Sequence, residues 1–175
     1  MKHITSTALL AISLAVTSAQ ALTVGTSAGY LLDAEEEYIT ARVGSQFGSS
    51  QGIAHNGEFE IGFSSQSEDI GRGEYLPLMI NYRAEFTNTG KFLPYLGLGA
   101  GAARTQVKIF GYSTFNEKDW SFAAQGFAGV SYQVSQKASL SAGARYIWID
   151  DASYRGVKVE VGDDVALELG LHIRF

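Results

Sequence analysis

The last eleven residues of the chain, "VALELGLHIRF" (165–175), decide the fold class because every second residue is apolar. A period of two is that of a β-strand with one apolar and one polar face. In a soluble protein the apolar face of such a strand points to the core. In a transmembrane barrel it points to lipid, and the polar face lines the interior. The rest of the sequence distinguishes these two arrangements.

Residues 1–21 have the layout of a secretory signal peptide. Lys2 precedes a short apolar stretch at 8–16, and an A-x-A motif follows at 19–21. The apolar stretch is shorter than the about 20 residues that a membrane-spanning helix needs. We therefore expect this segment to be cleaved, leaving residues 22–175 as one domain.

The composition excludes several classes of protein. The chain has 20 glycines, 2 prolines and no cysteine, so no disulfide framework holds the fold. Its net charge is −5, and it carries no basic patch or aromatic-basic motif. Nucleic acid is therefore not an expected partner, and no cofactor is expected.

The alternation of the closing stretch recurs seven more times along the chain. In the second segment, Ile39, Ala41 and Val43 share one face, and Thr40 and Arg42 share the other. An even number of strands of about 9–11 residues or more suits an antiparallel membrane barrel. The eight predicted strands are 23–31, 38–47, 58–66, 74–86, 92–105, 120–133, 138–149 and 165–175.

The predicted connections differ in length at the two ends of the strands. The long, mostly charged ones are 33–37, 67–73, 106–119 and 150–164, whereas "NTG" (88–90) and "SQK" (135–137) are tight turns. The link 48–57 is longer than the turns on its side. Long connections at one end and short turns at the other are typical of outer-membrane barrels. We call these ends the long-loop end and the short-turn end.

Aromatic residues gather at both ends of the predicted strands. Those at the short-turn end are Phe47, Phe59, Phe86, Phe92, Tyr132 and Phe175, and those at the long-loop end are Tyr30, Trp120, Tyr146 and Trp148. Two aromatic girdles are expected where a barrel meets the two membrane interfaces. The apolar face is therefore predicted to face lipid.

Two stretches resemble the small eight-stranded outer-membrane barrels of the OmpA-like, OmpX-like and opacity-protein group, a porin-type β-barrel family. They are "KFLPYLGLGAGAA" (91–103) and "FAAQGFAGVSYQVSQKASLSAGARY" (122–146). The resemblance implies an all-β, antiparallel up-and-down barrel, monomeric and integral to a Gram-negative-type outer membrane, in contact with its lipid and lipopolysaccharide. It also implies that Phe175, with Leu171 and Ile173, is the signal read by the barrel assembly machinery.

The glycines of "GLGAGA" (97–102) match the spacing of a dinucleotide fingerprint. That fingerprint requires a helix after the glycines, and no helical pattern follows here. Gly97, Gly99 and Gly101 share one face of the fifth strand. We interpret them as room for larger side chains in a narrow lumen.

His55 and His172 are the only histidines outside the signal segment. Lipid A deacylases of similar size carry a His and a Ser two positions apart on a strand. Here His55 falls in a predicted turn at the short-turn end, and His172 lies near the same rim, facing inward. No nucleophile and base can be placed within hydrogen-bond reach at the long-loop end, so no catalytic residue is predicted.

Acidic residues are concentrated in two of the long loops. They are Asp33, Glu35, Glu36 and Glu37 in one, and Asp150, Asp151, Asp163 and Asp164 around another. Such carboxylates suit a hard divalent cation, but no ligand-loop spacing is recognisable. A solvated loop is the favoured interpretation, and no metal site is predicted. Arg104, at the top of its strand, is expected to reach a lipid phosphate.

With the apolar register facing lipid, four arginines and four glutamates point into the lumen. An eight-stranded barrel is only wide enough for side chains to fill, and buried charges persist only when paired. We predict an ion pair between Arg145 and Glu168, with Arg42 close enough to join it. A second cluster nearer the short-turn rim is predicted to comprise Glu58, Glu60, Arg83, Glu85 and Arg174, with His172 at its edge.

These patterns predict a plugged, non-catalytic barrel with a structural or surface-interactive role. Its loops are available for adhesion or recognition, although the sequence names no loop ligand. Three alternatives are a lipid-modifying outer-membrane enzyme, a small-solute porin and a soluble lipocalin-like carrier. The last requires an apolar interior, whereas the predicted inward face carries arginines and glutamates.

Overall fold

Eight long strands form a closed antiparallel barrel in the computed structural model, which describes residues 22–68, 71–87, 90–109, 115–154, 157–159 and 162–175. They are β1 (Leu22–Leu31), β2 (Glu36–Ser50), β3 (Ile53–Glu68), β4 (Gly71–Phe86), β5 (Phe92–Ile109), β6 (Phe115–Gln133), β7 (Ala138–Ile149) and β10 (Gly162–Arg174). Each long strand pairs with its sequence neighbours, and β10 closes the barrel on β1. The predicted fold class and strand number are confirmed. The predicted signal peptide, residues 1–21, lies outside the described residues.

The predicted register of the strands is confirmed. In β10, Leu167, Leu169 and Leu171 are exposed by 53%, 70% and 39%, whereas Ala166 and His172 are buried. The same alternation runs around the barrel, and Ile80 on β4 is exposed by 72%. A folded chain leaves so continuous an apolar surface only where something other than water covers it. Among the described residues, no helix is long and apolar enough to cross a membrane.

The link between β2 and β3 is a two-residue turn, so the predicted connection 48–57 is wrong. Gln51 and Gly52 both have positive φ angles, 51° and 79°, as a type I′ hairpin turn requires. A bulge between Gln46 and Gly48 shifts the pairing by one residue. This bulge interrupts the period-two pattern, which is why sequence reading ended the strand early.

The long connections are shorter than predicted because the strands continue into them. Strands β5 and β6 stay paired as far as Ile109 and Phe115, and β3 and β4 pair as far as Glu68 and Gly71. The predicted loop 150–164 contains a small hairpin of β8 (Ala152–Tyr154) and β9 (Val157–Val159). Of the predicted turn 88–90, residues 88 and 89 lie outside the described residues.

Apolar side chains form two buried clusters in the long-loop half of the lumen, which the sequence pattern did not predict. Leu31, Tyr38, Ile147 and Ala166 form one buried cluster, and Met79, Ala103 and Ala123 form another. Tyr75 and Ile149 pack against both clusters. These side chains occupy the inward register beyond the charged residues and close that half of the barrel.

The aromatic girdles are formed, with one correction. The exposed rings near the short-turn end belong to Phe47, Phe92, Tyr132 and Phe175, with Phe86 half-buried, and those toward the long-loop end belong to Tyr30, Trp120, Tyr146 and Trp148. Phe59 does not lie at a strand end, because β3 begins at Ile53. It pairs with Val43 and Ile80 and is part of the middle of the apolar belt.

Candidate functional site in the barrel lumen

Arg145 on β7 is the centre of a buried charged network. Its guanidinium donates from Nη1 to Glu60 Oε1 at 2.6 Å and from Nη2 to Glu60 Oε2 at 3.1 Å. Its Nε donates to Glu168 Oε1, and Nη2 lies 3.4 Å from Glu168 Oε2. The predicted Arg145–Glu168 ion pair is therefore present. Arg145 is 1% exposed, and the rings of Phe127 and Tyr38 lie 5.3 and 6.0 Å from its guanidinium carbon.

Arg42 joins this network, as predicted. Its Nη2 lies 3.3 Å from Glu168 Oε2, and its Nε lies 3.6 Å from Glu60 Oε2. The same Nη2 donates to the hydroxyls of Ser27 and Thr40 at 3.0 and 3.1 Å. Two guanidinium groups thus face two carboxylates, and the network is electrically neutral.

Glutamine and asparagine side chains complete the network on the β6 and β4 sides. Gln125 accepts from Arg145 Nη1 and donates from Nε2 to Glu60 Oε1 and Asn81 Oδ1, at 3.2 and 2.7 Å. Sequence reading missed Gln125, Asn81, Ser27 and Thr40. These four residues could have been identified because they are polar and occupy the inward register beside the predicted charges.

A second cluster lies toward the short-turn end around Arg83. Its Nη2 donates to Glu85 Oε2 at 2.9 Å and to Ser131 Oγ at 2.7 Å, and its guanidinium carbon lies 3.9 Å from the centre of the Tyr95 ring. Its Nη1 is 4.0 Å from Glu58 Oε1, the outer limit of an ion pair. This cluster has two carboxylates for one guanidinium.

Two members of the predicted second cluster belong elsewhere. Glu60 is 0% exposed and binds Arg145 and Arg42 in the central network. Arg174 is exposed at the rim and has no ion pair among the described residues. His172 is buried as expected at the edge of the cluster, with Nε2 3.1 Å from the hydroxyl of Ser141.

A cavity of about 220 Å³ opens at the short-turn end below the second cluster. The side chains of Glu58, Glu85 and Arg83 line it, together with His172, and Lys137 and Arg174 stand on its exposed rim. None of the described residues that line the cavity belongs to the apolar clusters of the long-loop half.

At the long-loop end, Asp164 holds the β1–β2 connection. Its two carboxylate oxygens each accept a hydrogen bond of 3.0 Å, from the backbone nitrogens of Asp33 and Ala34. Glu35 in this connection has a positive φ of 55°. The acidic residues do not gather into a cation site: within the part of the chain that the structure describes, no group of three or more His, Asp or Glu is placed to hold a metal.

His55 lies in β3, not in a turn as predicted. Its Nδ1 is 2.6 Å from the hydroxyl of Tyr82, and its Nε2 is 3.0 Å from the hydroxyl of Ser50. The exposed ring of Phe47 packs beside both the histidine and the tyrosine. These side chains lie on the outer face of the barrel near the short-turn end.

The remaining sequence-predicted residues occupy the wall and the rims. Gly97 makes room for the ring of Phe127 on β6. Arg104 is half-buried and donates to Gln106 at 3.2 Å. Leu171 and Ile173 are exposed on the outer face of β10. Phe175, which directly follows β10, is exposed as well, and its backbone nitrogen donates to the Leu22 carbonyl at 2.8 Å.

Comparison of the sequence with known families gives a match to the outer membrane protein beta-barrel domain over residues 5–164. An uncharacterized protein of Brucella abortus is 29% identical over 100 residues. That match covers 51% of this chain and 35% of the Brucella protein.

Solved structures of small outer-membrane barrels are similar in fold. Neisserial surface protein A superposes with a TM-score of 0.66 at 15% identity, covering 90% of this chain and 98% of that one. Ail of Yersinia pestis, in complex with the heparin analogue sucrose octasulfate, gives 0.58 at 15% identity over 89% and 97%. The outer membrane enzyme PagL gives 0.55 at 16% identity over 86% and 98%. At these identities the likeness shows the fold alone.

Proposed function

We propose a structural and surface-interactive role for this chain, which belongs to the outer membrane protein beta-barrel domain family. In this role the barrel is an integral monomer in a Gram-negative-type outer membrane. Its apolar belt contacts lipid, and its long-loop end presents strands and loops to partners outside the cell. The chain carries out no catalysis and conducts no solute in this role.

The observation that carries the proposal is the filled lumen. Glu60 and Arg145 at the centre are 0% and 1% exposed, and Tyr38 and Met79 beyond them are 1% exposed each. Water does not reach these side chains, whereas a porin needs an aqueous path through its lumen. The filled interior supports a barrel that acts through its surface.

The negative charge of the long-loop end favours a basic partner. Glu37, Asp150, Asp151 and Asp163 are exposed there, and the whole chain is acidic. A negative surface repels polyanions and attracts basic partners. A positively charged protein surface is therefore a better candidate ligand than a sulfated polysaccharide.

Cell fractionation combined with a gel-shift assay tests the location. We expect the mature chain in the outer-membrane fraction, with a gel mobility that shifts on boiling because closed barrels resist detergent unfolding. A pull-down on intact cells with the folded barrel then identifies loop partners. Recovery of the chain in the soluble periplasmic or culture fraction would contradict the membrane role.

A second candidate, hydrolysis of a lipid ester, is favoured by the Ser50–His55–Tyr82 contacts. A serine hydroxyl 3.0 Å from a histidine that a third group orients is the arrangement of an activated nucleophile. Here the orienting group is a phenol instead of the usual carboxylate.

The test of this candidate is release of fatty acid from a fluorogenic phospholipid by the refolded barrel. Ser50→Ala is expected to abolish release, while Ser49→Ala, one residue away and also exposed, leaves it unchanged. Equal rates for both variants and for protein-free micelles would eliminate the candidate.

A further inference from the structure

The Glu58 carboxylate lacks a sufficient counter-charge. Its side chain is 8% exposed, and its Oε2 has no hydrogen-bond partner among the described residues. Its one ion pair among the described residues is with Arg83, 4.0 Å away, which already donates to Glu85 and Ser131. A buried carboxylate without a full set of partners is costly. Glu58 and Glu85 both line the cavity, so a cation that enters it meets two carboxylates that share one guanidinium.

The rim of the same cavity has the opposite charge. Lys137 and Arg174 are exposed on it, and neither makes an ion pair within the part of the chain that the structure describes. The cavity thus has an anionic floor, formed by Glu58 and Glu85 around one arginine, and a cationic rim. Its volume of about 220 Å³ is below that of the usual drug-sized pocket, about 300–1,000 Å³.

We propose that this short-turn cavity binds a small zwitterion, a free amino acid or the ends of a short peptide. The ammonium group faces the Glu58 and Glu85 carboxylates on the floor, and the carboxylate faces Arg174 and Lys137 at the rim. An extended dipeptide spans about 7 Å and carries its two opposite charges at its two ends. Binding at this site is independent of the surface role proposed above, because it uses the other end of the barrel.

The test is an NMR titration of the isotope-labelled barrel refolded in detergent, with glycylglycine as the probe. We expect shifts confined to residues that line the cavity, such as Glu58 and His172. N-acetylglycylglycine, which lacks the ammonium group, is expected to bind about tenfold more weakly or worse, since a hydrogen bond to a charged group contributes about that much. Glycylglycinamide, which lacks the carboxylate, is expected to bind several-fold more weakly than glycylglycine.

Variants of the cavity residues test which side chain binds the ammonium group of the ligand and which binds its carboxylate. Glu58→Gln is expected to lower glycylglycine affinity about tenfold, and Arg174→Gln is expected to reduce it to the level of glycylglycinamide. Glu37→Gln, which removes the same charge at the long-loop end, is the matched control and leaves affinity unchanged.

Three outcomes would overturn the proposal. One is the absence of saturable shifts in the cavity of the wild-type barrel. Another is equal affinity of the wild-type barrel for glycylglycine and its N-acetyl form. This comparison needs no variant, so it remains decisive even if Glu58→Gln does not refold. The third is an equal response to ammonium chloride, which would indicate an unspecific cation contact.

Discussion

Arg145 and Glu60 stand on strands at opposite sides of the barrel, four strands apart in either direction, and their side chains meet across the lumen at 2.6 and 3.1 Å. This bidentate pair cross-links the two walls through the centre of the interior. The partner predicted from adjacency, Glu168, binds the same guanidinium from the neighbouring strand. Arg145 is therefore held by two carboxylates, one beside it and one opposite.

Removing the carboxylate opposite Arg145 is expected to destabilise the barrel strongly. Glu60→Ala leaves two buried guanidinium groups with one carboxylate, and breaking a buried pair costs about 3–5 kcal/mol. The measurement is denaturant unfolding of the refolded barrel in detergent, with Glu37→Ala as the exposed control.

A double-mutant cycle measures the interaction energy between Arg145 and each of its two carboxylate partners. Arg145→Ala with Glu60→Ala, and Arg145→Ala with Glu168→Ala, should each cost less than the two single changes added, because the second change removes the charge that the first leaves unpaired. Strict additivity in both cycles would show that the groups do not interact.

The filled lumen predicts that the barrel carries no large steady current. Planar-bilayer recording of the purified chain is the measurement, with a known porin reconstituted under the same conditions as the positive control. Side chains of Glu60, Met79 and Tyr38 that are 0–1% exposed block the path of ions. Sustained porin-sized currents from intact barrels would show that this plug opens.

A side chain at Gly97 is expected to overpack the lumen. A Cβ atom there collides with the ring of Phe127 and with the backbone carbonyl oxygen of Tyr82, and overpacking typically costs about 1–3 kcal/mol. Gly97→Ala should lower the free energy of unfolding, and Phe127→Ala should cost less in the Gly97→Ala barrel than in the wild-type barrel, because the two sites are in contact. Gly126→Ala is the matched control, since its Cβ has nothing within 4 Å. An equal loss in both glycine variants would indicate a backbone effect instead.

Phe175 is expected to matter more for assembly in cells than for stability. Its ring is 69% exposed, and its backbone contributes one hydrogen bond, to Leu22. Deleting Phe175 should lower the amount of folded barrel in the outer membrane, while the purified variant still refolds in detergent. Normal assembly of the variant in cells would leave the ring as an interface anchor only.

Asp164 is expected to control the order of the β1–β2 connection. Asp164→Ala removes both acceptors of the Asp33 and Ala34 backbone nitrogens, so amide hydrogen exchange at these two positions should become faster. Exposed Asp163→Ala, which loses its contact to the Tyr146 hydroxyl instead, should leave that exchange unchanged. The comparison assigns the effect to hydrogen bonding because both variants remove one negative charge.

The sequence by itself determined the eight strands, their alternation of faces and the charges inside the barrel, except that Arg174 lies exposed at the rim. A period of two is a local property, and it places Arg145, Glu168 and Arg42 in the lumen without knowledge of the closed structure. The Arg145–Glu168 pair followed because these strands are neighbours in sequence and in the barrel.

Only the tertiary structure decided which charges meet and which do not. The shear of a closed barrel sets how far each strand slides along its neighbour, and one bulge in β2 shifts the β2–β3 pairing. These offsets carry Glu60 to Arg145 across the lumen and leave Arg174 at the rim. They also leave Glu58 short of a counter-charge beside the cavity, because pairing across a lumen depends on strand order and register together and not on any single stretch of sequence.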